Sequence, residues 1–445
     1  GMAEIRPFRG VRYNLEKVGD AGAVVSPPYD VIDEERQQRL YEAHPNNIVR
    51  IIQGWEARGD SLAGSRYTRA AAAYRKWLAD GILQRDTEEG IYVYAQDFVD
   101  AASPDAIPRS RLGLVAQVKI APFGEGLIFP HEHTMPGPKL DRLELMRHTG
   151  AAFGQIFSLY SDPEKRVHDL LRPHMEVSPL FAFSDEEKTQ HRLWRVTDRE
   201  TIRQVSECLA DKPLFIADGH HRYETAVAYR DERTAAEGTD PQGHPYGYSM
   251  QTLVNMDDAD GMVIGAIHRV VMDLGGGELM RLESGLHELF EVASGSFERP
   301  GDMLQDLRRR GEGGVPVFGL CTGRASGVRY LTLRPSVDLT SLGAEGHPDA
   351  WRRLSSGLLQ MALRRVLGLD TEALTRGEKV RFVKSAAEAF RMVRETPDRA
   401  GFFLNPVGMD QLREVVLAGE RMPPKSTFFY PKVYSGLVIQ DMGEC

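Results

Sequence analysis

Apolar and polar residues along this chain switch between a helical period and a strand period, and the switches predict its elements. Asp33 stands at an N-cap position ahead of a polar helix that ends near His44-Pro45. Tyr67, Ala70, Tyr74, Trp77 and Leu78 recur at helical spacing over 66–78, and Asp80-Gly81 supplies the stop. Strand-like runs follow at Ile91–Tyr94 and Leu112–Ile120. From Phe129 to Lys139 three prolines and a glycine predict no regular structure, until a helix begins near Lys139 with Leu140, Leu143 and Met146 as its stripe. Phe153–Tyr160 and Leu180–Phe183 are predicted strands around a helix at Pro163–Leu171. Thr197 and Glu200 have the spacing of a capping box for the helix after them.

The stretch Leu214–Arg230, LFIADGHHRYETAVAYR, changes period inside one segment. Four strand-favouring residues run into Asp218-Gly219-His220-His221, and Tyr223, Ala226, Val227 and Tyr229 then follow a helical period, so a strand turns directly into a helix. Gly247–Asn255 and Met262–Val271 alternate like a strand pair joined by the acidic turn Asp257-Asp258-Ala259-Asp260. Gly275-Gly276-Gly277 is a candidate boundary, and beyond it helix and strand patterns alternate to about residue 404. The expected organisation is an N-terminal α/β region over 1–120, a core over 121–274, a C-terminal α/β domain over 275–420, and a tail over 421–445 returning to the core. The fold class is α/β with mixed sheets.

Composition narrows the function classes. The balance of 55 basic and 64 acidic residues leaves a net charge of -9, whose field repels nucleic acid and anionic membranes. No apolar run reaches membrane-spanning length, and no basic-then-apolar leader opens the sequence. Gly1 before Met2 reads as an expression scar. Cys208, Cys321 and Cys445 are too few and too far apart for a disulfide framework or a metal knuckle, which points to a reducing cytoplasm.

Three segments carry candidate chemistry. The first turn of a helix has unpaired N–H groups and the positive end of the dipole, and Gly219 lets a ligand approach, so Asp218 to Arg222 suit a phosphate; an ordinary turn with surface histidines is the other reading. Glu132, between His131 and His133, suits a general base with a tuned pKa, while the two imidazoles with His220 offer a zinc alternative. Lys425-Ser426-Thr427 offers a cation and two hydroxyls for phosphate oxygens.

Four motifs, PPYDVI at 27–32, PHEHTMPGPK at 130–139, IADGHHRYETA at 216–226 and MPPKSTFFYP at 422–431, resemble the signature of a bacterial and archaeal family known only as domain of unknown function 1015. The DGHHR loop also resembles the phosphate motif of the ParB/sulfiredoxin-like fold, closest to its free-serine kinases, which carry Pro-His-Glu upstream and proline-lysine-hydroxyl downstream. That resemblance implies a nucleotide-binding core with additional α/β domains, and a phosphotransferase using ATP or ADP, or CTP, with Mg2+ on a small hydroxyl metabolite such as free serine. It implies Glu132 and His220 as catalytic residues, and Asp218, Gly219, His220, His221, Arg222, Lys425, Ser426 and Thr427 around nucleotide and phosphate. His131, His133 and Lys139 would support them, with Asp218 on Mg2+. The expected partners are nucleotide and small molecule, without nucleic acid or membrane. A nucleotide-binding switch without transfer is the rival, and a metal-dependent hydrolase built on His131, His133 and His220 the third reading.

Overall fold

The computed structural model describes residues 3–60, 64–100, 107–121, 128–130, 136–238, 240–241, 243–323, 327–343, 354–370, 373–374, 377, 379–418, 420, 422 and 425–443. The chain forms two compact units, one holding residues up to 130, 134–263 and 431–445, and the other chiefly 264–430.

The first unit is built on a nine-stranded mixed sheet. Its strands are β1 (Ile5–Arg6), β2 (Ile91–Val99), β3 (Pro108–Lys119), β4 (Ile128–Pro130), β5 (Ile156–Tyr160), β6 (Phe181–Ser184), β7 (Gln190–Val196), β8 (Leu214–Asp218) and β9 (Tyr248–Asn255). The order is β4-β8-β5-β9-β3-β2-β7-β6, with β1 on the far end of β3. β4 runs parallel to β8, and β9 parallel to β5; the other pairs are antiparallel. The expected division at 120/121 falls inside this sheet, because β9, from the later stretch, takes its register on β3 from the earlier one.

The two faces of the sheet differ in chemistry. One carries Ile91, Val93, Leu114, Ala116, Ile156, Leu253, Leu214 and Ile216 and is covered by helix α4 (Arg199–Leu209), through Ile202, Val205 and Leu209, and by Tyr223 and Ala226 of α5 (His220–Glu237). This is the core. The opposite face carries buried polar residues, with Gln96 opposite both Arg111 and His191 in the register. Helices α1 (Glu34–Ala43), α2 (Arg66–Ala79) and α3 (Pro136–Thr149) also belong to the unit; Asp33 caps α1 as expected, accepting from the Arg36 N–H.

Three local expectations are corrected. α3 begins at Pro136, three residues before Lys139, because prolines in a first turn remove only N–H groups that no helical carbonyl would accept. α4 is capped by Asp198, which accepts from the N–H and the hydroxyl of Thr201; Thr197 lies outside the cap, and Glu200 pairs with Arg203. Tyr248–Asn255 and Val263–Ala266 are not paired with each other, because both edges of β9 are already taken by β3 and β5; Val263–Ala266 pairs with Thr427–Tyr430.

The second unit holds a six-stranded antiparallel sheet of β10 (His268–Val271), β11 (Phe290–Ser296), β12 (Val317–Thr322), β13 (Gly327–Leu333), β14 (Val380–Val383) and β15 (Ala400–Leu404), ordered β11-β13-β12-β15-β10-β14. Met303 and Leu307 of one helix, Pro300–Arg310, and Phe390 and Val393 of another, Ala386–Glu395, close its core.

Candidate functional site

Strict alternation along β8 would put the Asp218 carboxylate on the face of Leu214 and Ile216, among aliphatic side chains. The register avoids this. Ile216 lies opposite Ser158 but Asp218 lies opposite Phe157, so Ala217 is an extra residue, and this bulge turns Asp218 to the polar face. An ionised carboxylate left in the apolar core would be far less stable.

On the polar face Asp218 Oδ2 meets Lys432 Nζ at 3.3 Å and Arg222 Nη2 at 3.9 Å, and Oδ1 accepts from the Gly219 N–H at 2.9 Å. Burial works against the Asp218 charge, but Lys432 and Arg222 outweigh it and hold the carboxyl well below the usual range. Burial likewise opposes the Lys432 ammonium, and Asp218 with Asp30 reverses that and raises its pKa.

Gly219 is the N-cap of α5 at φ +91°, where a side chain is strained, and a Cβ there would sit 3.0 Å from Arg222 Nε and Nη2. Its carbonyl accepts the first helical bond, from the Tyr223 N–H, and it has no side chain with which to cap the first turn. His220 is buried in that turn and His221 follows it. Arg222 Nη1 donates to the Gln155 carbonyl at 2.6 Å, while its Nε is buried without a hydrogen-bond partner among the described residues.

Two further segments reach the same place. The strap 431–436 carries Lys432 and is pinned at several points. Ser435 exchanges backbone hydrogen bonds with Ser26, the Gly436 N–H donates to the Phe153 carbonyl, Gln96 Nε2 donates to the Lys432 carbonyl at 2.9 Å, and Arg111 Nη2 donates to the Pro431 carbonyl at 2.7 Å. Arg111 is fully buried, which pulls its guanidinium down to about 9. The PPYDVI segment adds Asp30 and Tyr29. The Arg142 guanidinium lies 3.9 Å from the Tyr29 ring centroid, and burial, opposed by Arg142, pushes the Tyr29 hydroxyl up to about 12.

Beside this cluster, between α3 and α5, lies a pocket partly open to solvent, whose lining includes Arg222, Arg142 and Tyr29.

The expected site residues distribute as follows. Asp218, Gly219, His220, His221 and Arg222 are together at the β8–α5 junction. Lys139 pairs with Glu224 at 3.8 Å, and its carbonyl accepts from Thr225. Lys425, Ser426 and Thr427 belong to the second unit. There the Lys425 carbonyl accepts from Arg269 at 3.1 Å and its Nζ lies 4.9 Å from the Phe382 ring, Ser426 bonds Ser356, and Thr427 donates to the Gly265 carbonyl. His131, Glu132 and His133 lie outside the described residues. Among the described residues no group of three His, Cys, Asp or Glu side chains could hold a metal, and none of the helices is long and apolar enough to cross a membrane.

Sequence reasoning missed Lys432, Tyr29, Asp30 and Arg142. Two of the three segments were in view: PPYDVI stood among the signature motifs without a role, and Lys432 directly follows the last of them. Arg142 gave no signal beyond one more charge on a helix.

Fold and site together define a mixed α/β protein with several sheets and a cluster of cations at a helix N-terminus. The chain belongs to the family described as protein of unknown function (DUF1015), which it matches over residues 5–356. No curated protein matches it by sequence. Among solved structures it is similar, at low identity, to the following proteins. SbnI with C-terminal truncation from Staphylococcus aureus is 12% identical, covering 71% of this chain and 82% of that one at a TM-score of 0.34. A free serine kinase variant in complex with ADP is 12% identical, covering 72% and 91% at 0.34. A conserved hypothetical protein from Pyrococcus furiosus is 11% identical, covering 72% and 92% at 0.33.

Proposed function

We propose that this protein is a nucleotide-dependent phosphotransferase acting on a small hydroxyl-bearing metabolite, in the manner of the free-serine kinases whose motif order it shares. The observation that carries the reading is the Asp218 carboxylate turned out of the core by a bulge and held between Lys432 and Arg222 at the N-terminus of α5. A lone connecting turn has no need of a half-buried carboxylate and two cations in one place, whereas a phosphate site needs oriented N–H groups and fixed positive charge.

In this reading the nucleotide phosphates lie on the first turn of α5, with His220, His221, Arg222 and Lys432 as donors. Phosphoryl transfer asks the protein chiefly for positioning and charge neutralisation, and rigid attachment of Lys432 through Gln96 and Arg111 serves both. Asp218 serves as the anchor of the two cations. Its Oδ2 already faces Lys432 and Arg222, which disfavours a divalent cation on the same oxygen, so Asp218 fits poorly as a Mg2+ ligand. Glu132 takes the proton from the acceptor hydroxyl. The proposed core is the first unit, with the second as an additional α/β domain, and the proposed setting is the cytoplasm.

The test is to incubate the full chain with ATP, ADP or CTP, Mg2+ and a pool of amino acids and small hydroxy acids, and to follow ³¹P NMR. A new phosphoester that Glu132→Gln abolishes, with nucleotide binding retained, supports the reading. Nucleotide binding without transfer or turnover refutes it in favour of a regulatory switch.

A further inference from the structure

We infer that Asp185, His191 and Tyr94 are positioning residues for Lys432: they form a buried hydrogen-bonded chain that holds the strap 431–436 on the sheet while the imidazole is neutral and releases it when the imidazole takes a proton. This rests on the phosphotransferase reading only for what Lys432 does to a phosphate; the hold on the strap follows from the contacts themselves.

The strap runs in step with β2. Side chains two residues apart on a strand share a face, and Gln96 and Tyr94 are such a pair. Gln96 Nε2 donates to the Lys432 carbonyl at 2.9 Å, and the Tyr94 hydroxyl oxygen accepts from the Tyr434 N–H at 3.4 Å. Lys432 is thus held at its own carbonyl and again two residues further on.

From Tyr94 the chain continues away from the strap. Asp185, in the turn between β6 and β7, accepts through Oδ1 from the Glu187 and Thr189 N–H groups at 2.9 and 3.0 Å, and its Oδ2 lies 2.8 Å from His191 Nε2. Burial works against the Asp185 charge, but His191 and the two N–H groups outweigh it and hold the carboxyl below its usual range. An ionised carboxylate only accepts, so Nε2 carries the proton of the neutral imidazole. Nδ1 is then the acceptor, and the Tyr94 hydroxyl, 2.7 Å away, donates to it while its oxygen takes the Tyr434 N–H.

The strap also covers the imidazole. His191 is fully buried, stacked on Phe183 with centroids 4.5 Å apart and met by the Tyr434 ring at 4.6 Å. The charged groups acting on it are Asp185 and Glu187 of the turn, which favour a proton, and Arg111 of β3, which opposes one; Arg36 of α1 acts on the Tyr434 side. Burial outweighs Asp185 and holds the imidazole below its ordinary 6.5. Acidification therefore acts on the strap in two ways. A proton on Nδ1 makes it a donor, so the Tyr94 oxygen faces N–H groups from both His191 and Tyr434, and its own hydrogen loses its acceptor. Lifting the strap uncovers the imidazole, which then takes its proton at the ordinary value, so opening is favoured as pH falls below about 6.5.

The test is hydrogen exchange of the full chain, read by mass spectrometry from about pH 5 to about pH 8 and corrected for intrinsic rates. It compares the strap amides of Tyr434, Ser435 and Gly436 with those of β3. Tyr94→Phe keeps the ring and removes the hydroxyl; its strap amides should exchange about ten-fold faster while β3 is unchanged. In wild type the protection of the strap should fall below about pH 6.5, and in His191→Gln that fall should vanish. Equal acceleration of strap and β3 in Tyr94→Phe, or a pH dependence that persists in His191→Gln, overturns the assignment. If circular dichroism shows His191→Gln unfolded, NMR titration of the imidazole takes its place: its pKa should rise in Tyr94→Phe, which loses the donor to neutral Nδ1, and an unchanged pKa overturns the assignment. ADP, added to the same experiment beside adenosine as control, separates this hold from the role of Lys432. If ADP slows strap exchange in wild type but not in Lys432→Met, while Tyr94→Phe leaves the strap unchanged, the hold falls and the phosphate reading stands. If the strap responds to Tyr94→Phe and His191→Gln as expected and ADP does nothing, the reverse holds.

Discussion

Replacing Lys432 by methionine keeps the length of the side chain and removes the cation nearest Asp218. Removing one partner of a buried ion pair costs about 3–5 kcal/mol, since the other charge is left uncompensated. Here the two side chains are 21% and 17% exposed and Arg222 remains 3.9 Å away, so about 2–3 kcal/mol is expected at pH 7. The pH window follows from the two shifts. The Asp218 pKa is depressed in the fold, so its contribution is present above the ordinary value of 3.8 and is lost as pH falls through the folded value. The Lys432 pKa is raised, so its contribution is present below 10.5 and is lost as pH rises through the folded value. The penalty is therefore flat across neutral pH. In the variant the burial of Asp218 is less opposed and its pKa climbs, so the penalty shrinks as the pH approaches about 4. Urea unfolding followed by the fluorescence of Trp77 and Trp194, both buried in the same unit, measures it. Asp218→Asn and the double variant complete a cycle in which the pair should couple by about 2 kcal/mol. A loss below about 0.5 kcal/mol at pH 7, or a coupling near zero, would mean that Asp218 and Lys432 do not hold one another.

Gly219→Ala introduces a Cβ at positive φ and 3.0 Å from the Arg222 guanidinium; it should destabilise by about 1–2 kcal/mol and weaken nucleotide binding, with unchanged affinity in titrations counting against the phosphate cradle. Glu132→Gln should leave nucleotide binding intact while transfer falls by about 10²-fold or more, and full activity in the variant removes Glu132 as the base. In the second unit, burial pushes His268 down to about 4, and its Nδ1 accepts from the Leu404 N–H at 3.2 Å. The unfolded chain takes up that proton near 6.5 and the folded chain only near 4, so stability should fall by about 1.4 kcal/mol per pH unit between those values. Urea midpoints for wild type and His268→Gln, with the imidazole followed by NMR, check this; an equal slope in both proteins assigns the pH dependence elsewhere.

Much of the site's local structure was legible before its assembly. The DGHHR junction reads as strand, turn and helix from LFIADGHHRYETA alone, because four consecutive apolar residues, one glycine and a helical stripe are local signals. Asp33 as a cap and Tyr74 with Trp77 as a buried stripe follow from the same logic. The strand pair across residues 255–263 was misread because alternation reports which residues face a core and says nothing about which edge is vacant. Lys432 was passed over because a lysine after a proline in a tail is chemically silent until the chain around Ser26 and Ser435 brings it back.

The sequence by itself determined the periods, the glycine at the strand-to-helix turn, the apolar strand β8 and the family. These are short-range properties, fixed by steric and solvation preferences of neighbouring residues. Tertiary structure decided the direction of Asp218, through a single extra residue whose position depends on the pairing of β8 with β5. It also decided that Lys432 and Arg222 meet at the Asp218 carboxylate with Asp30 close by. Those properties arise from contacts between segments up to four hundred residues apart in the chain, and no local preference encodes them.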